Sequence, residues 1–285
     1  MPMRSAALLV ILAALWGGSF VFMRVAVPAL SAIPLAFVRV LLAAMALLAF
    51  AFAQRRIPDF RARWREFAVV GIVNSALPFA LFSYAAQHVP VSTSAILNAT
   101  SPFFGAIAAA IWLGEPLTAR KVAGMALGFA GVTVLAGWHP EAMTREVGLA
   151  IAACLAASIC YALGGTFAKR RLGDVPSFSI ATASQVAAAI ALLPALPFTT
   201  VPGPVTAAVV ANVVALALAS TAIAYLIYFK LIADVGPSRA LTVTFLIPLF
   251  GVVWGRLFLG EAVTASMLAG GALIVVGTIV TLRRH

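Results

Sequence analysis

The sequence predicts an all-α polytopic membrane protein with ten transmembrane helices arranged as two inverted five-helix repeats. Three observations support this prediction. The 285-residue chain is 64% hydrophobic and only 9% charged, whereas soluble domains carry about 25% charged residues. Ten apolar stretches each approach the roughly 20 residues that a membrane helix needs. The second half of the sequence also repeats parts of the first half.

The predicted spans are joined by short loops, with no soluble domain between them. Backbone groups in lipid must satisfy their own hydrogen bonds, so the spans are expected to be helices. The first span follows Arg4 and has features of a signal peptide, but no A-x-A cleavage pattern follows it, and we interpret it as a mature helix. The spans cover residues 6–24, 33–53, 67–87, 93–113, 118–137, 147–168, 177–197, 205–230, 238–258 and 264–282.

One long stretch of the first half recurs near the end of the chain. The segments "LGEPLTARKVAGMALGFAG" (113–131) and "LGEAVTASMLAGGALIVVG" (259–277) share ten of nineteen residues at an offset of 146. Each half contains five spans, an odd number, so the second copy starts on the opposite side of the membrane. The predicted domains are therefore residues 1–140 and residues 141–285. Shorter echoes pair WGGSF with LGGTF, SPFFG with IPLFG, and VPVS with VGPS.

The net charge of +11 is better explained by membrane orientation than by nucleic-acid binding. With a cytoplasmic N-terminus, fifteen of the nineteen Lys and Arg lie in cytoplasmic segments, and only Arg24 and Arg145 lie outside. The positive-inside rule then predicts an inner-membrane protein with both termini in the cytoplasm and residues 139–146 outside. Arg39 and Arg256 lie within spans near the external surface. We expect them to snorkel towards it, with a ligand role as the alternative.

Acidic residues and histidines all fall in loops or near span ends, so no proton-carrying group is expected at mid-membrane. This pattern argues against ion coupling, a metal site, a cofactor and a catalytic pair at depth. We therefore expect a protein that is not an enzyme and that works as a uniporter. Cys154 and Cys160 lie about 240° apart around one helix, which precludes a disulfide between them.

Uncharged polar and aromatic residues at mid-depth are candidates for lining a central cavity. Three prolines, Pro78, Pro102 and Pro248, are expected to interrupt helices near their middles. Each frees the carbonyl four residues earlier, and these carbonyls belong to Asn74, Asn98 and Thr244, whose side chains are also polar. Bent helices around a polar cavity are one interpretation, while static kinks and helix–helix hydrogen bonds are the alternatives. The candidate substrate-binding residues are Trp16, Asn74, Pro78, Asn98, Pro102, Tyr161, Thr221, Tyr225, Thr244 and Pro248.

Small residues in the fifth and tenth spans indicate close helix packing. Gly124 and Gly128 form a GxxxG pattern with Gly131 beyond it, and Gly270 and Gly277 in the second half are the counterparts of Gly124 and Gly131. We interpret these glycines as packing helices within a monomer, with dimerisation as the alternative. Thr118 and Thr264 are predicted to cap the helices that follow them.

The order and spacing of these motifs resemble a known family. Ten helices in two EamA-like halves, the WGGSF of the first helix and the LGE before the last helix of each half resemble the drug/metabolite transporter superfamily, across essentially the whole chain. Within it, the length and pattern resemble YddG-type amino-acid exporters. The resemblance implies alternating access and a central cavity lined by helices one, three, four, six, eight and nine. It also implies that helices five and ten form a scaffold behind the cavity.

The expected function is export or facilitated diffusion of small metabolites, above all neutral or aromatic amino acids. The expected partners are that small-molecule substrate and membrane lipid, without nucleic acid. Export of other small neutral or amphipathic metabolites or drugs is the alternative within transport. A lipid-acting membrane enzyme and a non-transporting sensor or scaffold are alternatives of other classes.

Overall fold

The computed structural model describes residues 2–55, 58–89, 91–136, 144–259 and 263–282. Within these ranges the regular elements are helices, and no strand occurs. The predicted external loop 139–146 is described only from Thr144 onward. The α-helices are α1 (Met3–Leu30), α2 (Ala32–Ala53), α3 (Trp64–Gly71), α4 (Leu77–Ala85), α5 (Val91–Asn98), α6 (Ser101–Leu113), α7 (Ala119–Ala136), α8 (Arg145–Arg171), α9 (Ser177–Leu192), α10 (Ala207–Ala217), α11 (Ala224–Val235), α12 (Pro237–Ala240), α13 (Val243–Leu259) and α14 (Ala265–Leu282).

Two pairs of these helices are joined by π-helical turns. The first π-turn (Ile72–Ala76) connects α3 to α4, and the second π-turn (Leu218–Ile223) connects α10 to α11. The two turns begin 146 residues apart, which is the offset of the sequence repeat. A π-turn inserts one residue into the helical ladder and is frequent at functional sites. A 3₁₀ turn, Leu193–Phe198, extends α9.

The helical stretches identify a multi-pass membrane protein, as the sequence predicts. Seven stretches in the described part of the chain are long and apolar enough to cross a membrane, and two shorter apolar helices cover Met3–Ser19 and Ala265–Thr281. The seven stretches are Ala32–Ala53, Trp64–Ala85, Ile96–Leu113, Arg145–Arg171, Ser177–Phe198, Ala207–Val235 and Pro237–Trp254.

The three mid-span prolines occupy different positions in their helices. Pro78 follows the first π-turn in the first turn of α4, and Pro102 follows a break at residues 99–100 in the first turn of α6. Pro102 is well tolerated there, because the first N–H groups of a helix have no partner within it. Pro78 lies in a continuous helical stretch, directly after the π-turn that interrupts the regular α-helical ladder. Pro248 lies inside the continuous helix α13. The expectation that it interrupts a helix is therefore wrong: the break in this region precedes it, at residues 241–242.

Glycines bring α7 and α14 into close contact within the chain. A Cβ atom added to Gly124 would lie 2.5 Å from Thr281 Oγ1, and one added to Gly131 would lie 2.6 Å from the Ile274 nitrogen. A Cβ on Gly277 would meet the backbone of α7 at Gly128. A larger side chain would therefore push the two helices apart. The predicted packing of these glycines between two helices of one chain is confirmed.

Two further local predictions are confirmed. The Lys121 N–H donates to Thr118 Oγ1, and the Met267 N–H donates to Thr264 Oγ1, each at 3.3 Å, so both threonines cap the helices that follow them. Cys154 and Cys160 are both free thiols.

The largest fully buried side chains cluster on α11 and α13, in the middle of the helix bundle. Tyr225, Tyr228 and Phe229 follow one another on α11, and Phe245 lies on α13. They belong to one extended apolar core that also includes residues of α1, α2 and α8. This core surrounds the candidate site described next.

Candidate functional site

A small cavity lies where helices of the N-terminal and C-terminal halves meet. It encloses about 60 Å³, which is room for roughly four water molecules. Small-molecule sites usually exceed about 300 Å³, so a metabolite would require the surrounding helices to move apart. The lining residues are Trp16, Ser19, Met23, Arg39, Phe79, Phe82, Asn98, Tyr161, Tyr228, Leu241, Thr244 and Ile247.

Four of the ten candidate residues lie on the wall of this cavity: Trp16, Asn98, Tyr161 and Thr244. Lining residues come from α1, α4, α5, α8, α11 and α13, and from the residues between α12 and α13. These elements correspond to helices one, three, four, six, eight and nine of the resemblance. Helix α2 is an addition, because it contributes Arg39.

The other candidates lie behind the wall. Thr221 and Tyr225 are fully buried, and both contact residues that line the cavity. Asn74 is fully buried against Gly164, and its side-chain amide has no hydrogen-bond partner among the described residues. The three prolines are buried in their helices and are not among the lining residues.

Two of the carbonyls that prolines release are already occupied by side chains. The Asn74 carbonyl accepts a hydrogen bond from the Tyr225 hydroxyl at 2.6 Å, which joins the first π-turn to α11. The Asn98 carbonyl accepts from Ser101 Oγ at 2.7 Å. Thr244 uses its hydroxyl to donate to the Leu241 carbonyl at 2.9 Å. Asn98 and Thr244 therefore contribute their polar side chains to the wall, while the Asn74 and Asn98 carbonyls are used within the protein.

The second π-turn is held by side chains from α1 and α2. The Ser220 carbonyl accepts hydrogen bonds from Trp16 Nε1 at 3.1 Å and from Arg39 Nη2 at 3.2 Å. Thr221 Oγ1 accepts from Arg39 Nε at 2.7 Å. Ser220 Oγ in turn donates to the Leu15 carbonyl at 2.7 Å. The cavity wall and the irregular helical turn are thus parts of one hydrogen-bonded unit.

Arg39 departs most clearly from the sequence prediction. We expected it to snorkel to the external surface, but it is only 6% exposed and points into the bundle. Its partner Thr221 lies midway along the stretch Ala207–Val235. Its guanidinium carbon also lies 3.8 Å from the centre of the Phe79 ring, a favourable cation–π geometry. These inward partners explain why the side chain turns away from the surface.

Aromatic rings form a large part of the wall. The Trp16 ring centre lies 5.3 Å from that of Tyr228, and Phe82 stacks on Tyr161 at 6.1 Å. The sequence analysis missed Phe79, Phe82 and Tyr228. A signal was available, since Phe79 and Phe82 precede Tyr225 and Tyr228 by the 146-residue offset of the repeat.

The lining offers polar and apolar groups that could recognise a small molecule. It presents aromatic faces, an amide, hydroxyl groups and one guanidinium, and none of the lining residues is Asp, Glu or His. In the part of the chain that the structure describes, no group of three or more His, Cys, Asp or Glu residues could hold a metal ion.

Comparisons with known proteins agree with this architecture. The model of the EamA-like transporter family matches residues 4–137 and again residues 148–283. The chain is similar to a probable terminal-alkyne amino-acid exporter of Streptantibioticus cattleyicolor, at 28% identity over 97% of this chain and 92% of that protein. It is also similar to the uncharacterized transporter YvbV of Bacillus subtilis, at 26% identity over 95% and 89% of the two chains.

Two further matches extend these comparisons. A probable amino-acid metabolite efflux pump of Salmonella typhimurium is 26% identical over 95% of this chain and 91% of that protein. One solved crystal structure matches with a TM-score of 0.83 and 20% identity, covering 99% of this chain and 97% of the other. At that identity, the structural match shows a shared fold alone.

Proposed function

This chain belongs to the EamA-like transporter family, and on that premise we propose that it exports amino acids across the inner membrane through its central cavity. The family and the named relatives identify a membrane transporter rather than an enzyme. Two of the relatives are named as probable exporters of amino acids or their metabolites. The observation that carries the proposal is the polar and aromatic cavity between helices of the two halves.

The proposed architecture is ten transmembrane helices in two inverted repeats, residues 1–140 and 141–285. Two separate matches to one family model support it, as do two π-turns at the 146-residue offset. The glycine-lined contact between α7 and α14 is consistent with a scaffold behind the cavity. Both termini are assigned to the cytoplasm, because fifteen of nineteen basic residues then lie on that side. We assign the protein as a monomer, since these glycines pack against each other within one chain.

The cavity suits a small molecule with an apolar side chain and a polar backbone. Trp16, Phe82 and Tyr161 offer flat apolar surface, while Asn98 and Thr244 offer an amide and a hydroxyl group. Such a lining, largely apolar with a few placed polar groups, is typical of small-molecule sites. Neutral aromatic amino acids fit this description.

We propose that transport proceeds by alternating access, and the small volume of the cavity supports this proposal. At about 60 Å³ the site is contracted, so binding and release require the two halves to separate in turn. Rocking of inverted repeats around a fixed central site is the usual form of alternating access. The hydrogen bonds from Trp16 of α1 and Arg39 of α2 to the second π-turn join the two halves. We expect these bonds to change when the halves move relative to each other.

We propose that transport is uncoupled from ions. Arg39 is a charged residue buried inside the helix bundle, and it does not point to the surface as expected. An arginine side chain stays protonated in proteins, however, and cannot carry a proton from one side to the other. The described residues that line the cavity contain no acid or histidine that could do so instead.

Flux measurements with purified protein in liposomes test the proposal. Uptake of neutral amino acids should exceed the rate in protein-free liposomes and should stop at the external concentration. An imposed pH gradient or membrane potential should leave the initial rate unchanged, because a zwitterion moves no net charge. Accumulation above the external concentration that a protonophore abolishes would refute the uniport mechanism. Flux of small neutral drugs but not of amino acids would favour the alternative substrate class.

A further inference from the structure

Arg39 is a buried charge without an acidic partner in the described ranges. The ion pairs found there join Arg63 to Asp174, Lys121 to Glu115 and Lys230 to Asp234, all away from the cavity. The contacts of the Arg39 guanidinium are the Thr221 hydroxyl, the Ser220 carbonyl and the Phe79 ring. A charge in a membrane protein interior is costly and usually functional. The presence of a buried positive charge at Arg39 therefore needs an explanation other than packing.

The second half of the chain contains the same contact without the charge. Gln185 lies 146 residues after Arg39, and Thr221 lies 146 residues after Ser75. Gln185 Nε2 donates to Ser75 Oγ at 3.0 Å, as Arg39 Nε donates to Thr221 Oγ1 at 2.7 Å. A glutamine thus suffices to join this helix to its π-turn. The hydrogen bond to the π-turn explains why residue 39 has a polar side chain. It does not explain why that side chain is positively charged, because the neutral Gln185 makes the equivalent bond.

The Arg39 guanidinium also has N–H donors that form no hydrogen bond within the part of the chain that the structure describes. It carries five N–H groups in a planar fork, of which Nε uses its one on Thr221 and Nη2 uses one on Ser220. Nη1 has no hydrogen bond to the described residues, and Arg39 lines the cavity together with Asn98 and Tyr161. A planar oxyanion is the ligand that such a fork binds best.

We propose that Arg39 binds the carboxylate of the transported molecule. The proposal rests on the proposed function, since it concerns the same cavity, and it adds a chemical requirement to the substrate. A carboxylate is required, and a net positive charge is rejected, because no acidic residue among the lining positions offsets the arginine. The ammonium group of an amino acid would meet the aromatic faces of Trp16 and Tyr161.

Matched ligands test this requirement without any mutation. Binding to the purified full-length protein is compared for L-phenylalanine and L-phenylalaninamide, and for 3-phenylpropionate and its amide. Each amide keeps the ring and loses the carboxylate. We expect each carboxylate to bind at least tenfold more tightly than its amide, a difference of about 1.4 kcal/mol or more. Equal binding within both pairs would overturn the proposal.

Variants then assign the effect to one side chain. Arg39→Gln should abolish the preference for the carboxylate while leaving the binding of the neutral 3-phenylpropionamide within about twofold, because Gln185 shows that glutamine preserves the helix link. The cationic L-phenylalaninamide should bind more tightly to this variant than to wild type, since the arginine that rejects its charge is gone. Arg39→Lys should restore part of the preference. Arg256→Gln, at an exposed arginine of α13, is the matched control and should behave as wild type. An unchanged preference in Arg39→Gln would contradict the assignment.

The outcomes separate this inference from the proposed function. If the protein moves no amino acid but still prefers carboxylates over amides, the proposed function fails and the carboxylate site stands. If it transports phenylalanine and its amide equally well, the function stands and the role of Arg39 fails. If Arg39→Gln does not give folded protein, the carboxylate-to-amide ratio of the wild type alone decides.

Discussion

Removing the hydroxyl group of Tyr225 should destabilise the protein through the first π-turn. Tyr225 is fully buried, and its hydroxyl donates to the Asn74 carbonyl at 2.6 Å. In Tyr225→Phe, the ring contacts with Trp16 and Phe79, at 6.2 and 5.9 Å between ring centres, can persist. The substitution therefore keeps the ring and removes the hydroxyl's interactions with Asn74 and Ser75, both in the first π-turn.

The cost follows from the buried carbonyl left behind. An unsatisfied buried polar group costs about 1–3 kcal/mol in soluble proteins, and hydrogen bonds between membrane helices are worth about 0.6 kcal/mol on average and at most about 1.7. Asn74 is fully buried, so water does not readily replace the lost donor. We therefore expect a loss of about 1–2 kcal/mol in the free energy of unfolding, near the upper end of the membrane range.

Tyr228 supplies a matched control on the same helix. Its ring is also fully buried, but its hydroxyl has no hydrogen-bond partner among the described residues. Tyr228→Phe removes the same oxygen atom without breaking a bond and relieves a buried, unpaired group. The free energy of unfolding should therefore stay unchanged or rise by up to about 1 kcal/mol.

Reversible unfolding in mixed detergent micelles, followed by circular dichroism as the SDS fraction rises, measures both variants against wild type. The expected order of stability is Tyr228→Phe at or above wild type, with Tyr225→Phe below it. Equal stability of the two variants would show that the hydrogen bond to Asn74 contributes nothing. A larger loss in Tyr228→Phe would refute the assignment of partners on α11.

Two further predictions concern the cavity and the topology. Asn98→Leu should reduce amino-acid flux at least about tenfold while the yield of folded protein stays near wild type, because the amide is a polar group on the wall. Asn212→Leu, at a half-buried asparagine of α10 that does not line the cavity, should leave flux unchanged, and equal flux in both variants would remove Asn98 from the site. Single cysteines placed in a background lacking Cys154 and Cys160 should react with an impermeant reagent in intact cells at position 143 but not at position 59; the reverse pattern would overturn the assigned orientation.

Much of the fold could be predicted because lipid leaves the backbone few options. A chain of 64% hydrophobic residues in stretches of about 20 can cross a membrane only as helices. Local sequence patterns also predicted the glycine packing between α7 and α14 and the helix caps at Thr118 and Thr264. The structure confirms both predictions. The prediction that Pro248 interrupts a helix is wrong, because one missing N–H does not decide where the helix begins.

The candidate site was only partly predictable. Polarity and depth identified Asn98, Thr244 and two aromatic residues of the wall. The position of Arg39 along its span led to the wrong prediction that its side chain points to the external surface. The direction of a long side chain depends on partners from other helices, here Thr221 and Phe79. Those partners are distant in sequence, although the pairing of Gln185 with Ser75 in the other half gives the same contact a second time.

The π-turns show a different limit. Pro78 directly follows the first π-turn, but the position 146 residues later is Ala224, so no proline marks the second one. A π-turn is selected by the tertiary contacts that take up its carbonyls, such as those from Trp16 and Arg39 to Ser220. Single-sequence patterns do not contain that information.

Counterflow in proteoliposomes tests the central claim, that the cavity alternates between the two sides and carries amino acids without ion coupling. Vesicles loaded with unlabelled phenylalanine and diluted into a trace of labelled phenylalanine, with no ion gradient, should transiently accumulate label above the external concentration. The label should then decline as the internal pool leaves. The transient requires a site that faces each side in turn and needs no energy source. An absence of any transient, or accumulation that appears only with a proton gradient, would contradict the account.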